Sequence, residues 1–166
     1  MSETLEPALP RELDDKADRL MRRLCAAGLK VTTAESCTGG MLASLLTDIE
    51  GAGHGFDRGF VTYEAQAKQD LLGLTPEMTD RNDAVTAAVA RAMAEGALQN
   101  SRSDIALSVT GFAGPAGEGE EEGLCHFACA RRGKPTILRE EHFGAAGRGP
   151  VRVAALGVLL ELLETA

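Results

Sequence analysis

Ser36 and Cys37 are the two side chains of this sequence best placed to attack a carbonyl carbon. They sit in Thr33-Ala34-Glu35-Ser36-Cys37-Thr38-Gly39-Gly40, between an apolar run from Val31 and an amphipathic run from Met41 to Ile49. That pattern carries a strand through a polar, glycine-containing turn onto the start of a helix. Backbone N–H groups without helical partners gather at such a turn, beside the positive end of the helix dipole. The field suits a bound anion or the oxyanion of acyl transfer. Ser36 is the first candidate nucleophile, and a helix N-cap is its competing role. Cys37 is the rival, because a helix N-terminus favours the thiolate; a small buried hydrophobe is its alternative. The amides of Thr38 and Gly39 are the expected oxyanion donors, and Gly40 completes the turn. Glu35 either binds a substrate hydroxyl or amide, or holds the loop by accepting backbone N–H bonds.

A serine needs a base. Lys68 follows the second expected strand by about one helical turn, and a desolvated lysine can serve that purpose. Its competing role is a surface pair with Glu64, four positions earlier. Tyr63 ends the strand, where its hydroxyl either meets substrate or points into water. Thr110-Gly111-Phe112-Ala113-Gly114-Pro115 leaves the third strand, and its glycines allow a close backbone approach to a ligand. This loop lacks the Gly-Lys-Ser/Thr ending of a Walker loop. Arg148 and Arg152 flank the start of the last helix, where either can bind a phosphate in bidentate fashion or pair with surface carboxylates. Cys125, His126 and Cys129 do not suggest a metal. On a strand the two cysteines share a face roughly 13 Å apart, and the histidine points to the other face. No metal and no cofactor is expected.

The elements that must position these groups follow from periodicity. Met1 to Pro10 reads as a lead-in, and residues 11–166 as a single domain. Leu13, Ala17, Leu20, Met21 and Leu24 recur at helical spacing, and Gly28 ends that helix. Lys30 to Ala34 reads as a strand, Thr38 to Ile49 as a helix, and Gly51 to Gly55 as a movable loop. A strand over Phe60 to Tyr63 precedes a helix over Glu64 to Leu72. Asp83 to Gln99 is an Ala-rich helix, and Asp104 to Val109 a third strand. Leu124 to Ala130 and Thr136 to Phe143 form a hairpin across Arg132-Gly133-Lys134-Pro135. Pro150 opens the last helix. Its apolar run from Val153 to Leu163 suggests burial or an interface, hence a homo-oligomer. The order is a helix, three strand–helix steps, a hairpin and a helix. It predicts an α/β fold: three α/β/α layers around a mixed, mostly parallel sheet of about five strands. Glu35–Gly40, Tyr63–Lys68 and Thr110–Pro115 should converge beyond the carboxyl ends of the strands.

Composition narrows the partners. Of 166 residues, 44% are hydrophobic and only 4% aromatic, so the core must be aliphatic and closely packed. A net charge of −8 argues against nucleic-acid binding, which needs many lysines and arginines. It leaves room for a small phosphorylated substrate held by a local cluster. No run is long enough to span a bilayer, and the four cysteines fit a reducing cytoplasm as free thiols.

Together these pieces resemble the CinA C-terminal domain family, which includes stand-alone nicotinamide-nucleotide amidohydrolases. The resemblance rests first on Thr33 to Gly40. Val61-Thr62-Tyr63 with Lys68, Ala84-Val85-Thr86, Met93-Ala94 with Gly96-Ala97, and Thr110 to Pro115 follow in the family's order. It covers roughly Asp14 to Leu163. The resemblance implies a three-layer fold and hydrolysis of the carboxamide of nicotinamide mononucleotide to nicotinic acid mononucleotide and ammonia. It implies Ser36 as nucleophile, Lys68 as base with Tyr63 nearby, and Thr110 and Gly111 lining the nucleotide site. Two places depart from the family pattern. An asparagine is replaced by Ala65, and glutamates over Glu118–Glu122 stand where the family carries a lysine-containing segment. The added negative charge opposes phosphate binding. A nucleotide-binding module without turnover is therefore the second reading, and a Cys37 hydrolase the third.

Overall fold

The structure is a computed structural model that describes residues 9–80 and 85–166. Its centre is a five-stranded sheet in the order β2-β1-β3-β4-β5. The strands are Val31–Glu35 (β1), Phe56–Val61 (β2), Ile105–Gly111 (β3), Leu124–Arg131 (β4) and Ile137–His142 (β5). β2, β1 and β3 run parallel, whereas β4 and β5 are antiparallel to their neighbours. The predicted mixed, mostly parallel sheet is therefore present. One step differs: β3 is followed by no helix. It passes through the loop 112–123 into β4, which returns antiparallel beside it.

Helices cover both faces. Arg11–Ala26 (α1), Met41–Thr47 (α2) and Arg148–Thr165 (α6) bury one core with Val31, Ile105, Leu107, Val109 and Phe127. Ala65–Leu72 (α3), Pro76–Thr79 (α4) and Ala87–Gln99 (α5) lie on the opposite face. The second core joins Leu72 and α5 to Ala34, Ala106, Ala128 and Ala130 of the sheet. This split follows from strand alternation, which sends successive side chains to opposite faces. The alanine face lets α5 sit close. Gly96 of α5 meets α3 so tightly that an added Cβ would lie 2.0 Å from the Leu72 carbonyl oxygen.

Several boundaries shift for local reasons. α2 begins at Met41 rather than Thr38, because Gly39 (φ 61°) and Gly40 (φ 94°) are left-handed and cannot continue into the helix. It ends at Thr47. β2 starts earlier and stops at Val61, leaving Thr62–Glu64 as the approach to α3. α5 starts at Ala87, with the Thr86 side chain accepting from Val89 N–H at 3.1 Å; Asp83 and Ala84 lie outside the described residues, as do Met1 to Pro7 and Ala8 of the lead-in. The Gly51–Gly55 loop contains a short 3₁₀ turn, Gly53–Gly55, packed on α1. α6 opens at Arg148, placing Pro150 in its first turn, where an N–H is not required. The apolar residues of α6 are buried against α1 and the sheet within this chain, so the feature that suggested an oligomer is accounted for internally.

The first crossover, through α2, lies on one face and the second, through α3 to α5, on the other. β1 and β3 are neighbours from which these crossovers diverge, and their carboxyl ends flank a crevice of the kind where open α/β sheets bind ligands.

Candidate active site

Ser36 follows the last residue of β1 and is fixed against β3 by its N–H, which donates to the Val109 carbonyl at 3.1 Å. The chain then turns. Gly39 N–H donates to the Ser36 carbonyl at 3.1 Å, and Met41 N–H to the Thr38 carbonyl at 3.1 Å. Two left-handed glycines make this turn possible at low strain.

Glu35 settles the choice left open by sequence in favour of holding the loop. Its side chain is buried and reaches across the turn to α2. It accepts from Thr38 Oγ1 at 2.6 Å, Leu42 N–H at 3.0 Å and Ala43 N–H at 2.8 Å. These are the otherwise unpaired donors of a helix N-terminus, and a carboxylate there also favours the dipole. Glu35, not Ser36, caps the helix, so the serine hydroxyl is released from its competing role.

Lys68 is the residue the fold moves furthest from its ordinary setting. It is 2% exposed, on the inner side of α3. Its Nζ donates to Ser36 Oγ at 3.2 Å, to the Thr62 carbonyl at 2.9 Å and to the Tyr63 carbonyl at 2.9 Å. The surface pair with Glu64 is thereby ruled out. Burial pushes the amine below the ordinary lysine range, an effect that the neighbouring Cys37 and the Glu64 carboxylate oppose. An amine whose pKa is lowered, within hydrogen-bond reach of a hydroxyl, is placed as a general base must be.

Ser36 and Lys68 open into a cavity of about 310 Å³ whose walls include Tyr63, Glu64, Ala65, Gly111, Phe112 and Glu120. The three segments expected to converge do so. Tyr63 contributes a backbone carbonyl to Lys68, while its side chain is 62% exposed at the cavity wall. Thr110 is buried at the end of β3, and Gly111, the next residue, faces the cavity.

Other expected groups stand elsewhere. Cys37 is 4% exposed and packs into the α1–α2–α6 core rather than the cavity. Its thiol is hydrogen-bonded to that of Cys125, which lowers the Cys37 pKa against the effect of burial and raises that of Cys125. Its carbonyl accepts from Arg152 Nε at 2.7 Å, so Arg152 braces the turn after β1. Gly39 N–H is already engaged with the Ser36 carbonyl, which removes it as an oxyanion donor in this conformation. The Thr38 N–H makes no hydrogen bond among the described residues. The Arg148 guanidinium lies against Gly114, where an added Cβ would come within 2.5 Å of it; neither residue lines the cavity. β4 is a strand, so Cys125 and Cys129 enter one core while His126 occupies the other face. Among the described residues, no group of three or more His, Cys, Asp or Glu side chains is arranged to hold a metal.

Sequence reasoning missed two features. Glu120 lines the cavity, and Gly117 N–H donates to its Oε2 at 2.6 Å; the run of glutamates was visible, but not which one borders the cavity. Thr79 of α4 also forms part of the wall and bonds Gln69 at 2.7 Å. Nothing in its local pattern marked it.

Comparison with known proteins bears on the family and the fold. The nicotinamide-nucleotide amidohydrolase PncC of Escherichia coli K12 is 42% identical over 154 residues, 92% of this chain and 93% of that protein. The crystal structure of the competence/damage inducible protein CihA from Agrobacterium tumefaciens matches with a TM-score of 0.91 at 40% identity, covering 99% of this chain and 98% of that one. A competence-damage inducible protein of Symbiobacterium thermophilum is 49% identical over 115 residues, 68% of this chain, which spans only 27% of that relative's length. The model of the CinA C-terminal domain matches residues 13–166. With a family match over nearly its whole length and a likeness in fold to a relative 40% identical, the chain belongs to the CinA C-terminal domain family.

Proposed function

We propose that the protein is an amidohydrolase that converts nicotinamide mononucleotide to nicotinic acid mononucleotide and ammonia. The carrying observation is the 3.2 Å hydrogen bond between a buried lysine amine and the Ser36 hydroxyl at the crevice of the sheet. The name and length of the PncC relative support the substrate class.

Once deprotonated, Lys68 keeps its two N–H groups on the Thr62 and Tyr63 carbonyls, turns its lone pair to the Ser36 hydroxyl, and takes that proton as Oγ attacks the carboxamide carbon. The two carbonyls of Thr62 and Tyr63 hold the amine in place and welcome the charge it gains. The Thr38 amide, which makes no hydrogen bond among the described residues, is the donor this turn has left for the developing oxyanion. Lys68 then passes the proton to the departing nitrogen, and ammonia leaves. Water, deprotonated by the same amine, cleaves the Ser36 ester and restores the hydroxyl.

Ammonia release from nicotinamide mononucleotide tests this. The wild type is expected to turn over, with kcat rising as pH increases through the lowered Lys68 pKa, since only the neutral amine is a base. Lys68→Met should lose at least about 1,000-fold in kcat and lose that pH dependence. Saturable nucleotide binding with no ammonia from the wild type would favour the non-catalytic module that Ala65 and the Glu118–Glu122 loop suggest.

A further inference from the structure

We propose that Glu120, assisted by Glu64, selects substrates whose carboxamide is carried on a positively charged N-alkylated pyridinium ring. This rests on the amidohydrolase reading of the same site.

Glu120 belongs to the loop between β3 and β4, yet its side chain shares the cavity with Ser36 and Lys68. Its placement is built rather than incidental. The Gly117 N–H clamps Oε2 at 2.6 Å and leaves the second oxygen available. Glu64, at the cap of α3, also lines the cavity. Tyr63 lines the same cavity and is exposed. Carboxylates combined with an aromatic face form a setting for a delocalised cation.

The cationic group on the opposite side of this balance is Lys68. Its amine is turned away from open space onto Ser36 and two carbonyls, and burial favours its neutral form. Among the described lining residues, two carboxylates, Glu64 and Glu120, stand against this one amine. A phosphate would be repelled by these walls. An N-alkylated pyridinium would be attracted, and its carboxamide lies within the same small ring system. A cavity of about 310 Å³ is at the lower end of small-molecule sites, about 300–1,000 Å³, which suits the ring and its carboxamide. The acidic loop thus changes what the site recognises: it directs the ring inward and the phosphate toward solvent.

The test uses two probes of nearly equal size, each a nicotinamide with one added methyl group: 1-methylnicotinamide, whose ring is cationic, and N-methylnicotinamide, which is neutral. Their affinities are measured by calorimetry at low salt for the wild type, Glu120→Gln and Glu64→Gln. Glutamine keeps an acceptor for Gly117 N–H, so the loop can close as before. The wild type should bind the cation at least about 5-fold more tightly than the neutral probe, the size expected of one partly exposed charge pair. Glu120→Gln should bring the two affinities close to parity without weakening the neutral probe. Glu64→Gln should reduce the preference less. Equal affinities in the wild type, no binding of the cation, or a preference that survives in Glu120→Gln would overturn the proposal. Ammonia release is scored separately on nicotinamide mononucleotide. Its absence with the cation preference intact would remove the hydrolase reading and leave charge recognition standing.

Discussion

Lys68 occupies a place that a charged amine resists, 2% exposed and surrounded by α3, Ser36 and two backbone carbonyls. Because its folded pKa is lowered, the unfolded chain binds the proton more readily than the folded one. The resulting cost to stability is full below the folded pKa and fades as pH rises toward the ordinary lysine value, about 10.4. Lys68→Met, which fills similar volume without a charge, should therefore unfold at higher denaturant at pH 7, by about 1–2 kcal/mol. That gain should shrink in alkaline solution; an equal gain at every pH would contradict it. Lysine at this position was visible in the sequence as one helical turn beyond a strand. Its burial was not, because that depends on the third-dimension approach of the Thr62–Tyr63 carbonyls. Cys37 shows the converse: its neighbours in sequence suggested reactivity, and only packing against Cys125 shows where the thiol points.

The turn from β1 to α2 is held by one carboxylate. Glu35→Ala would leave the Thr38 hydroxyl and the Leu42 and Ala43 amides without their acceptor. A loss of about 2–4 kcal/mol is expected in chemical denaturation, with a fall in kcat because Ser36 loses its fixed position. Glu35→Gln should recover part of both, since one oxygen remains to accept. A second element-level contact is the α3–α5 approach. Gly96→Ala would place a methyl group on the Leu72 backbone and should cost about 1–3 kcal/mol, read as a lower melting temperature. Element types were legible where apolar spacing is strong, as in Leu13 to Leu24 and in the hairpin around Arg132 to Pro135. Boundaries were less so at α2, because Ser, Thr and Gly fit equally well in a helix's first turn and in the loop that leads to it. The return of β3 directly into β4 was hidden because the intervening loop carries no strand or helix pattern of its own.

At the scale of the molecule, the two crossovers on opposite faces create the crevice, and the strand order then decides which polar segments meet there. The β1, β3 and β4 residues are almost entirely buried, while β2 and β5 form partly exposed edges. Amide hydrogen exchange should therefore be slowest in β1, β3 and β4, and faster in β2 and β5; uniform protection across the sheet would count against this layering. The three-layer architecture was readable from alternating strands and helices, since few arrangements bury both. The place of Glu120 was not, because the run of glutamates does not show which one borders the cavity.

The most direct measurement is ammonia release from nicotinamide mononucleotide by Ser36→Ala and Cys37→Ala, with folding of each checked by circular dichroism. Ser36→Ala should fold normally and lose at least about 1,000-fold in turnover, whereas Cys37→Ala should retain most of it. Undiminished release by Ser36→Ala, or its loss only in Cys37→Ala, would contradict the role given to the Ser36–Lys68 pair.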